Sequence, residues 1–435
     1  ITGIGVDSNT PEIYYDSTPI NLSAVVGQSA STTTHISGTK LQGNVNLEVM
    51  GEYAGMFTLS HTTLPYDNPA TDVTVTFNPS VKGTFSATLR LYSTNAVEQY
   101  ITLTGTASNL TPSVSDNISE LGEVWNFSTL NGNLASAAPW FSTNTDNGSV
   151  QTRDMAFCNG KLYVLTSNAN ANNSNYIQII NAYDGSSIGT LSLNGVTEGQ
   201  LYAASIKAMG GKVIMSNGAP SGTPLKVYCW DNDSSEPYVI LNDATHGSVQ
   251  VGEIMSVWGD LNYGKLMFSD GNKMLIYTVS KGVVNATPTE IKFTKSGAAY
   301  PVGSHKGAVD ITLNDDGSYW VIGKDQSPIH FNSNGEYIEQ VATSAVNGYA
   351  VAGRFIDFGT QKYMAAATYL NKSATTLAEG ALSFANITDG ISNITPLFYP
   401  TDGLGKTRNT QFMQSVCYES SAYGLNIWTL SCLQG

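Results

Sequence analysis

From Val45 to Leu103, apolar and polar residues alternate with period two. "NVNLEV" sets Val45, Leu47 and Val49 on one side, and "DVTVTF" does the same with Val73, Val75 and Phe77. "FSATLRL" repeats it with Phe85, Ala87, Leu89 and Leu91, and "YITLTG" with Ile101 and Leu103. Such alternation makes strands with one face in a core and the other in water. Clusters of Gly, Pro, Asn and Asp, as in "PYDNPA", divide the strands, and no long stretch carries helical spacing. Several short strands with regular turns predict an all-β fold that begins with an immunoglobulin-like β-sandwich over residues 1–108.

The stretch "SNLTPSVSDNISE" (Ser108–Glu120) is polar and patternless, which predicts a linker over 109–120. Beyond it a Gly-Lys-apolar hairpin recurs, as "NGKLYVL" at Asn159, "GGKVIMS" at Gly210 and "YGKLMFS" at Tyr263. Weaker copies are "DGSYWVI" at Asp316, "TQKYMAA" at Thr360 and "YGLNIWT" at Tyr423. Their spacing, roughly 45 to 60 residues, is close to the ~50-residue period of four-stranded propeller blades. A second echo keeps the register: "GSVQTRDMAF" (Gly148–Phe157) returns as "GSVQVGEIMSV" (Gly247–Val257). Each repeat runs from an apolar inner strand through the hairpin to a second strand. A third such as "YIQIINAYDG" and a fourth such as "SIGTLSL" follow. Radial repetition of this kind protects sheet edges, and the six hairpins predict a six-bladed β-propeller over residues 121–435. Few residues follow the last hairpin, so "GEVWNFSTLNG" (Gly122–Gly132) is expected to supply a strand that completes the last blade.

Two stretches carry a resemblance. "VTFNPSVKGTFSATL" (Val75–Leu89) followed by "LTGTA" (Leu103–Ala107) resembles the end of immunoglobulin-like modules of the abnormal-spindle and sperm-protein type, which are frequent in secreted Bacteroidetes proteins. There Pro79 starts a turn and Gly83 permits the return into the next strand. "FNSNGEYIEQV" (Phe331–Val341) is similar to the outer strand pair of NHL-like six-bladed propellers. The whole chain resembles secreted or lipid-anchored Bacteroidetes proteins that join such a module to a six-bladed propeller. That resemblance implies an extracytoplasmic place and supplies no activity.

Composition narrows the classes. The chain has 435 residues, 41% of them hydrophobic and 12% charged, about half the usual ~25% charged. The net charge is −14, and the arginines are Arg90, Arg153, Arg354 and Arg408 alone. Nucleic acid is excluded, because phosphate binding needs a dense basic face, and an anionic membrane surface for the same reason. No apolar run approaches the ~20 residues of a membrane span. The sequence opens at Ile1 rather than methionine, as expected of a chain whose secretory or lipoprotein leader has been removed. Cys158, Cys229, Cys417 and Cys432 have no CxxC spacing, so zinc is a poor fit and buried thiols are expected. Cys417 and Cys432 are the one pair that could form a disulfide.

"LNDDGSYWVIG" (Leu313–Gly323) has the Asp-x-Gly-x-x-Trp spacing that resembles the Asp box of sialidases. Gly317 coincides with the repeating hairpin glycine and Trp320 with its apolar strand, so the stretch reads as a turn. "RDMAFCNGK" and "RFIDFGTQK" align residue for residue, which puts Arg153 and Arg354 at equivalent places near the start of inner strands. Arg408 lies just ahead of the last inner strand. Two readings stay open. Either each arginine pairs with a local acid such as Asp154 or Asp357, or the three form an anion or acidic-sugar site at one channel mouth. Asp154, Glu198, Glu253 and Asp310 lie near the same mouth, where two carboxylates could act on a glycosidic bond. His305, in "GSHKGAVD", sits in a loop entering a blade. "DNDSSE" (Asp231–Glu236) alternates oxygen ligands as calcium loops do but reads as an acidic turn. No phosphate loop, nucleophile elbow or HExxH motif is present, and no cofactor or metal is expected. Three functions follow as expectations: a noncatalytic binding protein for glycan or another surface protein, a carbohydrate-active hydrolase or lyase, or a structural spacer.

Overall fold

The computed structural model describes residues 10–16, 19–142, 151–167, 175–197, 201–246, 250–303, 307–346, 350–370, 379–398, 403–405 and 413–435. The fold is all-β and divides into two compact units, Ile1–Leu110 and Thr111–Gly435.

In the first unit, alternation builds two sheets. One has the order Glu12–Tyr15, Ala30–Thr39, Thr71–Phe77, Phe57–Leu59. The other runs Ile20–Val25, Gln99–Ser108, Gly83–Tyr92, Val45–Met50, Thr63–Leu64. Ile20–Val25 pairs parallel with Leu103–Ser108, while the remaining pairs are antiparallel. Val73, Val75 and Phe77 of the first sheet and Leu89, Leu91, Ile101 and Leu103 of the second are all fully buried. Phe77 touches the opposite sheet at Phe85 and at Gly105, where any Cβ would lie 2.3 Å from its ring. Glycine at 105 is what lets the two layers close on that ring.

The second unit reads differently, and packing explains why. Each of the six repeated hairpins joins the first and second strands of an antiparallel sheet. The leading strands are Gln151–Cys158, Leu201–Met209, Ser256–Gly259, Val309–Leu313, Ala350–Phe358 and Gln414–Ser421. The first, second, fourth and fifth sheets are four-stranded meanders in sequence order, and the third places two short strands on its third. Hydrophobic clusters fill the gaps between successive sheets. Tyr163 and Ile177 of the first meet Ile206 and Met215 of the second, and Ile214 and Val227 meet Phe268 and Leu275 of the third. Further gaps join the third to the fourth, the fourth to the fifth and the fifth to the sixth. The last cluster joins the sixth sheet to the first, through Cys417, Trp428 and Leu430 against Met155, Leu162 and Val164. Strands buried on both faces need apolar residues at successive positions, so period-two alternation gives way to apolar runs such as "YWVIG".

The Asp-box stretch is the turn between Val309–Leu313 and Tyr319–Gly323. Gly317 adopts φ +82°, Asp316 Oδ1 accepts from the Ser318 N–H at 2.9 Å, and Trp320 stacks between His330 and Phe355. One expectation fails. Gly122–Gly132 forms no strand, and the sixth sheet has two strands among the described residues. The segment is held instead by single bonds, Thr129 N–H to Gln434 O at 2.8 Å and Trp125 Nε1–H to Ala182 O at 2.9 Å. The cysteines are the buried free thiols expected, Cys417 and Cys432 included, and burial pushes the thiols of those two up to about 12.

Candidate functional site

Five of the six leading strands bring short polar side chains to a common level, and each of these links its strand to the next in one sense. Asp154 on the first strand accepts from the backbone N–H of Ile206 on the second, at 2.9 Å. Ser205 Oγ accepts from Met255 N–H at 3.1 Å, Ser256 Oγ from Ile311 N–H at 2.8 Å, and Asp310 from Gly353 N–H at 3.2 Å. Ser415 Oγ on the sixth strand accepts from Met155 N–H on the first, at 3.3 Å. The fifth strand carries Ala352 and Gly353 at this level and offers no side-chain acceptor.

Two ion pairs sit inside this belt. Lys207 Nζ lies 2.7 Å from Asp154 Oδ2, both side chains at most 10% exposed. Asp154 also accepts from Ser205 Oγ and Ser415 Oγ, each at 2.6 Å, and from Met155 N–H at 2.9 Å. Burial alone would raise its carboxyl, but the Lys207 charge and the Lys207, Ser205 and Ser415 hydrogen bonds hold it below the ordinary value. Arg354 Nη1 lies 2.5 Å from Asp310 Oδ2, and Asp310 takes further bonds from Ser256 Oγ at 2.9 Å and Ile311 N–H at 3.1 Å. Burial works against the Arg354 charge, yet Asp310 and then Asp154 raise its pKa.

Arg153, Asp154, Glu253, Asp310 and Arg354 all line one cavity, together with Lys207, Gln414 and Ser415. The space between them is about the size of one water molecule. His305, Arg408 and Glu198 lie outside the described residues. Arg354 pairs with an acid, though neither of the two acids named for the arginines is the partner. Asp154 belongs to Lys207, and Asp310 rather than the exposed Asp357 belongs to Arg354. Arg153 is 5% exposed, and its bond is to Met413 Sδ at 3.8 Å. Glu253 Oε1 accepts from Gln250 Nε2 at 2.5 Å. Among the described residues, three cations and three carboxylates line the cavity, so that lining is formally neutral and not the net-positive cluster that the arginines alone suggest.

Lys207 and the three serines escape the sequence reading. The available signal was a lone lysine in the otherwise apolar leading strand "LYAASIKAM", where a charge has no reason to sit unless it meets another. Elsewhere, Asp231 and Asp233 are engaged by Lys212 and Lys161, which makes "DNDSSE" a lysine-tied turn. Among the described residues, no group of three or more His, Cys, Asp or Glu could hold a metal ion. Among them also, no helix is long and apolar enough to cross a membrane.

No protein-family model and no curated protein matches the chain. Among solved structures, it is similar to a DUF4623 family protein from Bacteroides eggerthii, with 15% identity, 93% of this chain and 87% of that chain covered, and a TM-score of 0.56. It also aligns with the GH43_1 enzyme from Xanthomonas citri complexed with xylotriose, at 10% identity over 62% of this chain and 94% of that chain, with a TM-score of 0.34. The first likeness shows a shared fold; the second is too low to carry an argument.

Proposed function

We propose that this is a noncatalytic extracytoplasmic binding protein, built from an immunoglobulin-like sandwich and a six-bladed β-propeller, whose ligand is a glycan or another surface protein. The observation that carries the noncatalytic part is the saturation of the axial acids. Asp154 accepts from five donors and Asp310 from four, each with a cation among them. A glycosidase needs one carboxyl that keeps its proton and a second that reaches the sugar. Carboxylates so held are not free to turn toward a substrate, and a water-sized space admits no sugar ring. The propeller reading is supported by the six inter-sheet cores and by the belt that joins the last leading strand to the first. A glycan or protein would then be met at the mouth or on the outer surfaces rather than within the axis. The low charge content and the resemblance to secreted or lipid-anchored proteins support the extracytoplasmic place.

The test is to incubate the protein with neutral and uronate-containing oligosaccharides, following binding by calorimetry and cleavage by chromatography. Binding without cleavage is expected. Cleavage by wild type that vanishes in Asp310→Asn would replace this reading with the hydrolase or lyase one. Absence of binding to every glycan would leave surface proteins as the ligand class.

A further inference from the structure

The first and sixth sheets meet at their hairpin ends in a cluster of rings. Phe157 stacks on Trp428 with centroids 4.8 Å apart and planes 9° apart, and Tyr183 stands edge-on to Trp428 at 6.5 Å. Phe157 and Trp428 are half-buried, whereas Tyr183 is 49% exposed. The backbone under Tyr183 is nevertheless fixed. The Ala182 carbonyl before it accepts from the indole N–H groups of Trp125 and Trp428, both at 2.9 Å. Ala182 N–H donates to Gly160 O at 3.0 Å, and Tyr183 N–H to Asn181 Oδ1 at 2.9 Å. A ring left half in water adds little to the core, but a ring held in place beforehand loses little entropy when a ligand covers it.

Polar groups border that ring. The Tyr183 hydroxyl donates to both oxygens of Glu419, at 3.0 and 3.2 Å, and Asn426 Nδ2–H donates to Glu419 Oε2 at 3.0 Å. An ionised carboxylate has about four acceptor sites. These two donors therefore leave the half-buried Glu419 with accepting capacity that the crowded Asp154 and Asp310 lack. Glu419 and Asn426 are paired across Gln414–Ser421 and Gly424–Ser431, on the same side of the sheet as Cys417 and Trp428. Position 424, next on that side, is open: a Cβ there would meet nothing within 4 Å. Lys161, the cation of the neighbouring hairpin, is bound to Asp233. Glu419 and the exposed Asp184 give the ring acidic surroundings.

We propose that this rim is a carbohydrate site for uncharged pyranose units. One sugar stacks its C–H face on the Tyr183 ring, and hydroxyls at the sugar's edge bond to Glu419 and Asn426. A pyranose is apolar on its faces and ringed by hydroxyls. Here an exposed aromatic face is bordered by a carboxylate with spare capacity and by an amide, which both donates and accepts. A uronate would be repelled by Glu419 and Asp184. The site rests on the glycan form of the function proposed above, and it puts the contact on the outer rim of the second unit, away from the axial cavity.

The test titrates the full chain by calorimetry with β-1,4-linked hexaoses of glucose, mannose and xylose, and with hexagalacturonate. Wild type should bind at least one neutral hexaose and not the galacturonate. Tyr183→Ala and Glu419→Gln should each weaken that binding by about tenfold, while Tyr183→Phe, which keeps the ring, should lose less than Tyr183→Ala. Tyr238→Ala, at another exposed tyrosine on the second sheet, should change nothing. Glu419→Gln decides the matter if Tyr183→Ala does not fold. Neutral-sugar binding that survives both Tyr183→Ala and Glu419→Gln would overturn the site and leave the glycan reading standing. So would binding of galacturonate in preference to the neutral hexaoses. Binding of no sugar by wild type would overturn the site and the glycan reading together, and leave a surface protein as the ligand class.

Discussion

Ser415 Oγ donates a 2.6 Å hydrogen bond to Oδ1 of Asp154, a residue 261 positions earlier, and accepts from Met155 N–H at 3.3 Å. One hydroxyl thus joins the last leading strand to the first. Ser415→Ala removes one donor from the buried Asp154 carboxylate and one of the two acceptors of the Met155 N–H. A loss of about 1–3 kcal/mol is expected by urea unfolding, against less than about 0.5 kcal/mol for Ser420→Ala on the exposed end of the same strand. Equal effects would remove Ser415 from the closure.

Lys207→Met would leave Asp154 buried and ionised without its cation. A cost of about 3–5 kcal/mol is expected for the single variant. Lys207→Met with Asp154→Asn should cost less than the sum of the two singles, because neither residue is then stranded. Strict additivity in that cycle would mean that the pair is not coupled.

The same pair sets a pH dependence. The folded Asp154 carboxyl is depressed below its ordinary value of 3.8. Its contribution is therefore fully present above that value and is lost as pH falls through the folded value. Melting temperature should fall more steeply below pH 4 in wild type than in Lys207→Met/Asp154→Asn, when followed from pH 6 downward. Parallel curves would show that other carboxylates carry the acid sensitivity.

Proteolysis should respect a sharper boundary than the polar stretch 109–120 suggests. From Ser113 the backbone is tied down: Ser113 N–H bonds to Ala422 O at 2.8 Å, Thr360 N–H to Asp116 Oδ2 at 2.7 Å, and Ile118 N–H to Tyr363 Oη at 2.8 Å. Early cuts should fall between Asn109 and Pro112, as read by mass spectrometry. Tyr363→Phe, which removes the Ile118 and Asp116 contacts, should admit cuts as far as Glu120. Early cutting past Ser113 in wild type would contradict this.

The chain announces its strands and hairpins because these rest on local patterns. All six hairpins, down to Gly317 in its left-handed turn, follow from glycine and apolar runs. The alignment of Arg153 with Arg354 also brings both to one cavity. Their partners are another matter. Which acid meets Arg354 depends on packing between sheets: Asp310 is 44 residues away, while Asp357 is three positions along the same strand and points to solvent. Lys207 finds Asp154 across 53 residues. Gly122–Gly132 misled because alternating apolar residues describe one buried side as well as they describe a strand. Trp125 and Phe127 pack on the first and last sheets without a ladder.

The belt also implies an order of events in time. Links between successive leading strands span about fifty residues each, but the link that shuts the circle spans 261. Contacts of long sequence separation come at a high cost in loop entropy and slow the reactions that need them. Sheets can therefore accumulate one after another along the chain, with the meeting of Gln151–Cys158 and Gln414–Ser421 as the late, slow step. Ala352 and Gly353 give no side-chain link to the sixth strand, and the fifth sheet meets the last one instead through Gln414 Nε2–H to Thr368 O at 3.0 Å and Gly380 N–H to Gln434 Oε1 at 2.7 Å. The amide of Met155 is the natural clock for this step. It should gain protection from hydrogen exchange only when the circle shuts, after amides such as Ile311 that depend on neighbours made earlier.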